Sequence, residues 1–169
     1  MDDREFLKTS DLAMEDTRLA AETATVPRQN WSGNYHYHTD KVFTPTTVEE
    51  VQAAVTSVEH VRALGTRHSF NGIADSTTAQ ISMLGLKDVQ LDKAARTVRV
   101  GSGIKYGELA VEIDRQGFAL ANLASLPHIS VGGSIATATH GSGLTNGNLA
   151  TSVRALEMVE ADGSVMAIS

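Results

Sequence analysis

Ala121-Asn122-Leu123-Ala124-Ser125-Leu126-Pro127-His128-Ile129-Ser130-Val131-Gly132-Gly133-Ser134-Ile135-Ala136-Thr137-Ala138-Thr139-His140-Gly141-Ser142-Gly143 differs in texture from the rest of the chain. Small residues dominate it, and Ile129, Val131 and Ile135 are its bulky aliphatics after Pro127. A glycine pair followed by small, helix-compatible residues predicts a short helix lying against something flat or charged. Ser130, Gly132, Gly133 and Ser134 would offer backbone amides at its N-terminus, a natural seat for a phosphate. The plainer alternative is a helix whose small side chains merely permit close packing. The segment taken alone does not choose between the two.

Upstream, Val61-Arg62-Ala63-Leu64 reads as a strand that ends at Gly65. The loop Thr66-Arg67-His68-Ser69-Phe70-Asn71-Gly72 follows. Gly65 allows the backbone to approach a ligand. The amides of residues 66–69, with the hydroxyls of Thr66 and Ser69, can form an anion-binding nest. His68 sits inside it. A lone loop histidine is usually just bonded to backbone, and these neighbours weaken that expectation.

Working outward, Tyr35-His36-Tyr37-His38 alternates and predicts a short strand. Thr46 or Thr47 can cap a helix, with Glu49 or Glu50 as the capping-box partner. Val48, Val51, Val55 and Val58 then recur on one helical stripe. Residues 80–84 predict a strand, and residues 89–92 and 97–100 the arms of a hairpin. Residues 105–116 predict a helix with Tyr106, Leu109, Ala110 and Ile113 inward and Gly117 as its C-cap. A second hairpin closes the sequence, residues 153–160 and 164–168 around Ala161-Asp162-Gly163. Helix-with-strand followed by antiparallel pairs predicts an α+β fold rather than a uniformly wound sheet.

Composition narrows the function classes. The 169 residues are 41% hydrophobic, enough for a real core. Cysteine is absent, which removes disulfides, thiol catalysis and cysteine metal sites together. The net charge of −6 opposes a nucleic-acid binder. No apolar run is long enough for a membrane span, and no signal peptide is recognisable at the start. A soluble, cytoplasmic protein is expected. Residues 1–22 carry −4 of the charge and few large apolar side chains. Residues 1–27 therefore read as an acidic flexible extension, and residues 28–169 as the folded domain. Dinucleotide (G-x-G-x-x-G), P-loop and serine-hydrolase signatures are not met. His36 and His38 share a strand face but lack a nearby third metal ligand.

Leu64-Gly65-Thr66-Arg67-His68-Ser69-Phe70-Asn71, the block of residues 121–134 and Thr139-His140-Gly141-Ser142-Gly143 together resemble the flavin domain of alditol (xylitol) oxidases. These belong to the vanillyl-alcohol oxidase superfamily, with an FAD-binding domain of p-cresol methylhydroxylase type. Asn30-Trp31-Ser32-Gly33-Asn34 looks like the family's opening. The resemblance runs from about residue 30 to the C-terminus. It implies two α/β subdomains, C-terminally incomplete here, because family members carry further chain and a substrate domain.

The resemblance also assigns roles. It implies FAD, held around its pyrophosphate by Leu64, Gly65, Thr66, Arg67 and Ser69 and linked covalently through His68. Arg67 departs from the small residue often found before this histidine. Ser125, Ser130, Gly133, Thr137, Ala138, Thr139 and His140 would line the cofactor's other side, with Ser125 also beside the substrate. The implied reaction oxidises the terminal hydroxyl of a polyol, with O2 as acceptor and hydrogen peroxide as product. Two alternatives stand beside it: an aldonolactone oxidase of gulonolactone or arabinonolactone type, and a non-enzymatic flavin-binding fragment. The Thr-Arg-His-Ser-Phe-Asn and Leu-Pro-His-Ile-Ser runs favour the alditol branch. This chain alone is expected to be at best a partial flavin-binding unit.

Overall fold

A computed structural model describes residues 26–169, so the expectation for the acidic extension lies almost wholly outside the described residues. The first unit contains strand β1 (Val42–Phe43), helix α1 (Val48–Thr56), strand β2 (Val61–Leu64) and strand β3 (Ala79–Ser82). β1 and β2 both pair parallel with β3, in the order β1-β3-β2. All four residues of β3 are buried. A strand between two parallel neighbours is covered on both faces and reads as a continuous buried run.

α1 starts as its sequence demands. Thr47 Oγ1 accepts from the Glu50 amide at 3.2 Å, and Glu50 Oε2 accepts from the Thr46 amide at 2.6 Å. The first bond satisfies an orphan donor of the first turn, and the second ties the residue ahead of the cap to it. Val51 and Ala54 are its buried residues. The four-valine stripe is narrower than expected: Val48 is 38% exposed. At ~100° per residue it lies roughly 90° around the axis from the centre of the Val51–Ala54 face. Val58 lies beyond the end of the helix.

Strand β4 (Val89–Asp92) and strand β5 (Thr97–Val100) form the expected antiparallel hairpin. Helix α2 (Tyr106–Asp114) and the short helix α3 (Val131–Ala136) follow. Tyr106, Leu109 and Ile113 of α2 join Ile104, Ile129, Val131 and Leu149 in a second core, with Val89, Val98 and Val100 packed against it. Gly117 takes a φ of +82 just past α2, the left-handed stop that glycine adopts without Cβ strain. Strand β6 (Leu156–Val159) and strand β7 (Val165–Ile168) form the last hairpin. It returns to the first core through Val159.

Two expectations need correction. Residues 35–38 are not a strand: a lone bridge joins Gln29 to His36. Asn30 donates to the Tyr35 carbonyl and Tyr37 to the Arg28 carbonyl, so the segment folds back as a loop. The strand expected over residues 80–84 runs one residue earlier and stops at Ser82, where a 3-10 turn (Met83–Gly85) begins.

The two cores are joined by residues 101–107. Gly101 donates to Asp88 and Gly103 to Leu86 on one side. On the other side Gly132 donates to Ser102, Val131 to Ile104, Tyr106 to Ile129 and Gly107 to Pro127. A Cβ at Gly103 would lie 1.8 Å from the Met83 carbonyl oxygen. Gly103→Ala is therefore expected to destabilise the protein by about 3 kcal/mol or more, since backbone cannot yield as a side chain does. Urea unfolding monitored by circular dichroism measures this.

At the start of β2 and β3, Asp75 fastens the loop that precedes the sheet. It accepts from the His38 amide at 3.0 Å, the Tyr35 hydroxyl at 2.9 Å and the Ser76 amide at 2.8 Å, and pairs with the His38 imidazole. Burial pushes its carboxyl pKa up, but these hydrogen bonds outweigh burial and hold it down to about 2. A depressed carboxylate stabilises the fold above the unfolded pKa and loses that contribution as pH falls towards the folded one. Stability should therefore drop between about pH 4 and pH 2. In Asp75→Asn, which is already weaker at neutral pH, this part of the acid slope should flatten, as read by urea midpoints across that range.

Candidate functional site

The two loops singled out from the sequence meet. Leu64 is fully buried and ends β2, so the next residues leave the sheet directly beside α3. Gly65 packs against the start of α3: an added Cβ would lie 2.7 Å from Ser130 Oγ and 3.6 Å from Gly133 Cα. The Thr66 hydroxyl accepts from the Ser130 amide at 3.3 Å and also pairs with His68 Nδ1 at 3.1 Å. One hydroxyl thus ties both loops to the histidine.

The amides of residues 66–69 remain available. Among the described residues, none of them donates to a protein acceptor. The nest conformation has a cost: Arg67 adopts a φ of +64, a left-handed geometry disfavoured by its Cβ. Its carbonyl accepts from the Trp31 amide at 2.8 Å, and its guanidinium donates to the Gln29 carbonyl at 2.8 Å. The Ser69 carbonyl accepts from Asn30 Nδ2 at 3.0 Å.

The α3 start differs from the amide seat expected of it. Ser130 donates to Thr66, Gly132 to Ser102 and Ser134 to Ser130. Three of the four expected amides are thus spent within the fold, and Gly133 keeps its own. Close packing through small residues, the plainer reading of this segment, accounts for the other three. Ser130 Oγ is nevertheless buried without a partner.

The remaining predicted residues stand apart from the first loop. Ser125 is exposed ahead of Pro127. Thr137, Ala138 and His140 are exposed beyond α3, about 9 Å along a six-residue helix from its start. Thr137 Oγ1 donates to the Gly133 carbonyl at 2.9 Å, and Ala138 takes a φ of +53. The Thr139 amide donates to Ser134 and its carbonyl accepts from Leu149. His140 Nδ1 donates to the Gly141 carbonyl at 2.9 Å. No hydrogen bond joins these residues to the first loop among the described residues.

Two residues given no role of their own in the sequence reading flank His68. The Trp31 ring stacks on it at 5.2 Å and 20°. The His128 ring lies 4.8 Å away at 50°. Burial depresses the His68 pKa below that of a free imidazole, and the charge of His128 depresses it further. A bond to the Thr66 backbone works in the opposite direction, and Arg67 adds to the depression. His68 is therefore neutral at neutral pH. His68 Nε2, His128 Nε2 and Ser130 Oγ are all buried without a protein partner. Buried polar atoms left unpaired cost about 1–3 kcal/mol each, so this cluster suits a polar ligand seated between the loops. The surface concavity lined by Tyr35, His38, Arg62 and Asp75 shares no residue with this junction.

Residues 39–169 match the family model described as FAD binding domain. The chain is 48% identical to an alditol oxidase from Streptomyces sp. over 145 residues, covering 83% of this chain and 35% of that protein. It is 35% identical to the L-gulonolactone oxidase of Mus musculus over 146 residues, covering 83% and 33%. The chain thus spans about a third of the length of the curated relatives it matches. Among solved structures it is similar to Phl p 4.0202, a glucose dehydrogenase (TM-score 0.64, 27% identity, 75% of this chain and 28% of that one). Its fold also matches cholesterol oxidase from Brevibacterium sterolicum (TM-score 0.73, 20% identity, 86% and 34%). Among the described residues no helix is long and apolar enough to cross a membrane.

The Thr66 hydroxyl yields a direct test of the junction. Thr66→Val keeps the side-chain shape but leaves the Ser130 amide buried without an acceptor, at a cost of about 1–3 kcal/mol. Thr66→Ser restores the hydroxyl and should recover most of that loss. Paired urea titrations of the two variants check it.

Proposed function

The chain belongs to the FAD binding domain family, and from that premise we propose that it holds the FAD of an alditol oxidase, with His68 as the covalent attachment residue. The observation that carries the reading is the junction of the two loops. A neutral imidazole with a buried, unpartnered Nε2 lies there, in the same loop as four uncommitted amides. The residues fit the group. Amides in a nest suit the diphosphate of FAD, and a neutral imidazole nitrogen is the form able to bond a carbon.

In this reading Gly65, Thr66, Arg67 and Ser69 hold the diphosphate mainly through backbone. Leu64 anchors the loop in the sheet. Ser130 and Gly133 face the cofactor across the junction through Oγ and the free amide. Ser125 and residues 137–140 extend the contact surface, with Ser125 nearest the substrate. The bound flavin would supply two-electron oxidation chemistry, and the protein supplies position and field. The substrate class is a polyol oxidised at a terminal hydroxyl, with O2 as acceptor and hydrogen peroxide as product. The higher identity to the alditol oxidase than to the gulonolactone oxidase supports a polyol over a lactone.

The experiment is retention of flavin through denaturation. Protein precipitated in acid should keep its yellow colour and flavin fluorescence, and His68→Ala should release both. Retention by His68→Ala would overturn the assignment of the link. The substrate class is read under anaerobic conditions from FAD-loaded protein as long as the relatives it matches, since this chain spans about a third of their length. Sugar alcohols should bleach the flavin faster than aldonolactones, and the reverse order would move the reading to the lactone oxidases.

A further inference from the structure

We infer that the concavity at the start of β2 and β3 is a binding site for a phosphate group, held by Arg62, His38, Ser76 and Thr77. The site is independent of FAD and of His68.

It follows from how the sheet uses its two faces. α1 covers one face, where Ile81 joins Val51 and Ala54 in the first core and Val61 packs against them. Gln80 and Arg62 alternate with those strand residues and so lie on the other face, opposite one another in register. Gln80 is fully buried there, donating to the Ala74 carbonyl and accepting from Arg28. Arg62 belongs to the edge strand beside it and is exposed. Among the described residues its guanidinium has neither a hydrogen bond nor an ion pair. Five N–H donors in a planar fork without a protein acceptor match an oxyanion in charge and in shape.

Asp75 is the carboxylate that shares this concavity with Arg62, which has a volume of about 410 Å³. It does not pair with Arg62, because its oxygens are committed to the His38 amide, the His38 imidazole, the Tyr35 hydroxyl and the Ser76 amide. A carboxylate only accepts, so His38 Nδ1 carries the hydrogen of their bond. Nε2 is then left for a ligand on a side chain that is 67% exposed. It accepts from a P–OH group when the ring is neutral and donates to P–O⁻ when the ring is protonated. Phosphate monoesters lose their second proton near pH ~6, so they offer both partners, whereas a carboxylate at neutral pH offers only an acceptor. Ser76 Oγ accepts from the Thr78 and Ala79 amides at 3.1 and 3.2 Å, which leaves its own hydrogen to donate. The Thr77 hydroxyl has no partner among the described residues. Guanidinium, imidazole and two hydroxyls thus line one concavity, with room for the remainder of a small phosphorylated molecule.

The experiment is a titration of inorganic phosphate into isotope-labelled protein, followed residue by residue by NMR. The Ser76 and Thr77 amides and the His38 ring should shift together and saturate. The amides of residues 66–69 are a separate seat for phosphate, about 10 Å further along β2 from Arg62, and report on themselves. Arg62→Gln removes an exposed, unbonded side chain and should leave the fold intact. It should weaken the response of residues 76 and 77 about tenfold or more, the loss expected for a charge-assisted bond, and leave that of residues 66–69 unchanged. His38→Gln should weaken the same response, but it also removes a partner of Asp75, so Arg62→Gln is the deciding variant.

Glycerol 1-phosphate and glycerol complete the test. Tighter binding of glycerol 1-phosphate than of inorganic phosphate assigns the site to a phosphorylated small molecule, and the reverse order to free phosphate. Glycerol that shifts these residues as strongly as phosphate does overturns the ligand class. Shifts confined to residues 66–69, or a response of residues 76 and 77 that is unaltered in Arg62→Gln, overturn the site.

Discussion

Two hydrophobic cores that never merge are held in register by contacts too close for ordinary side chains. Gly103 lies against the Met83 carbonyl, and Gly65 against Ser130. The first core is a parallel three-stranded sheet with one helix, and the second is a hairpin with two helices. Neither presents a site alone. The loop after β2 belongs to one core and the start of α3 to the other. The Thr66 hydroxyl, accepting from Ser130 and pairing with His68, converts their adjacency into a defined position for one imidazole. Displacing either core would move the two halves of the site relative to each other.

Desolvation has opposite outcomes for two ionisable groups at the two ends of the parallel strands. Asp75 is partly buried but collects two backbone amides, a phenol and an imidazole, so its charged form wins. His68 is partly buried beside another histidine and an arginine and has one residue, Thr66, to bond, so its neutral form wins. Desolvation penalises charge in both places. The number of donors facing each group decides the outcome. Asp75 acts as a fastener at the start of the strands, and His68 is kept as an uncharged nitrogen at their end.

Much of this was legible in the sequence because it is local. Capping by Thr47 and Glu50, the 89–92 and 97–100 hairpin and the α2 face all follow from spacing within a dozen residues. The turn at residues 65–69 was legible because glycine and hydroxyl residues sit together. What was missed is long-range. Tyr35-His36-Tyr37-His38 alternates as a strand would, but Asp75, far along the chain, draws Tyr35 and His38 away from any ladder. The amides at α3 read as free from local sequence, because Ser102 and Thr66 reach them from distant segments. Trp31 and His128 carried a signal, as the single tryptophan and a histidine in a proline-flanked run. Their convergence on His68 is tertiary, and no periodicity encodes it.

The neighbours by fold separate what the backbone does from what its side chains do. A chain 20% identical to this one, a cholesterol oxidase, shares its fold at a TM-score of 0.73. A backbone shared across such different proteins cannot by itself select a substrate. It can only deliver loop ends to one place. What forms there depends on which side chains the loop ends carry. Here those are a hydroxyl that serves two partners, an arginine held in a left-handed conformation and three aromatic rings in contact. The Arg67 conformation is costly, and its carbonyl and guanidinium are both committed to residues 29–31. The strain is thus balanced by the same bonds that place Trp31 over His68. The cost of bending the loop and the ordering of the imidazole are one structural event.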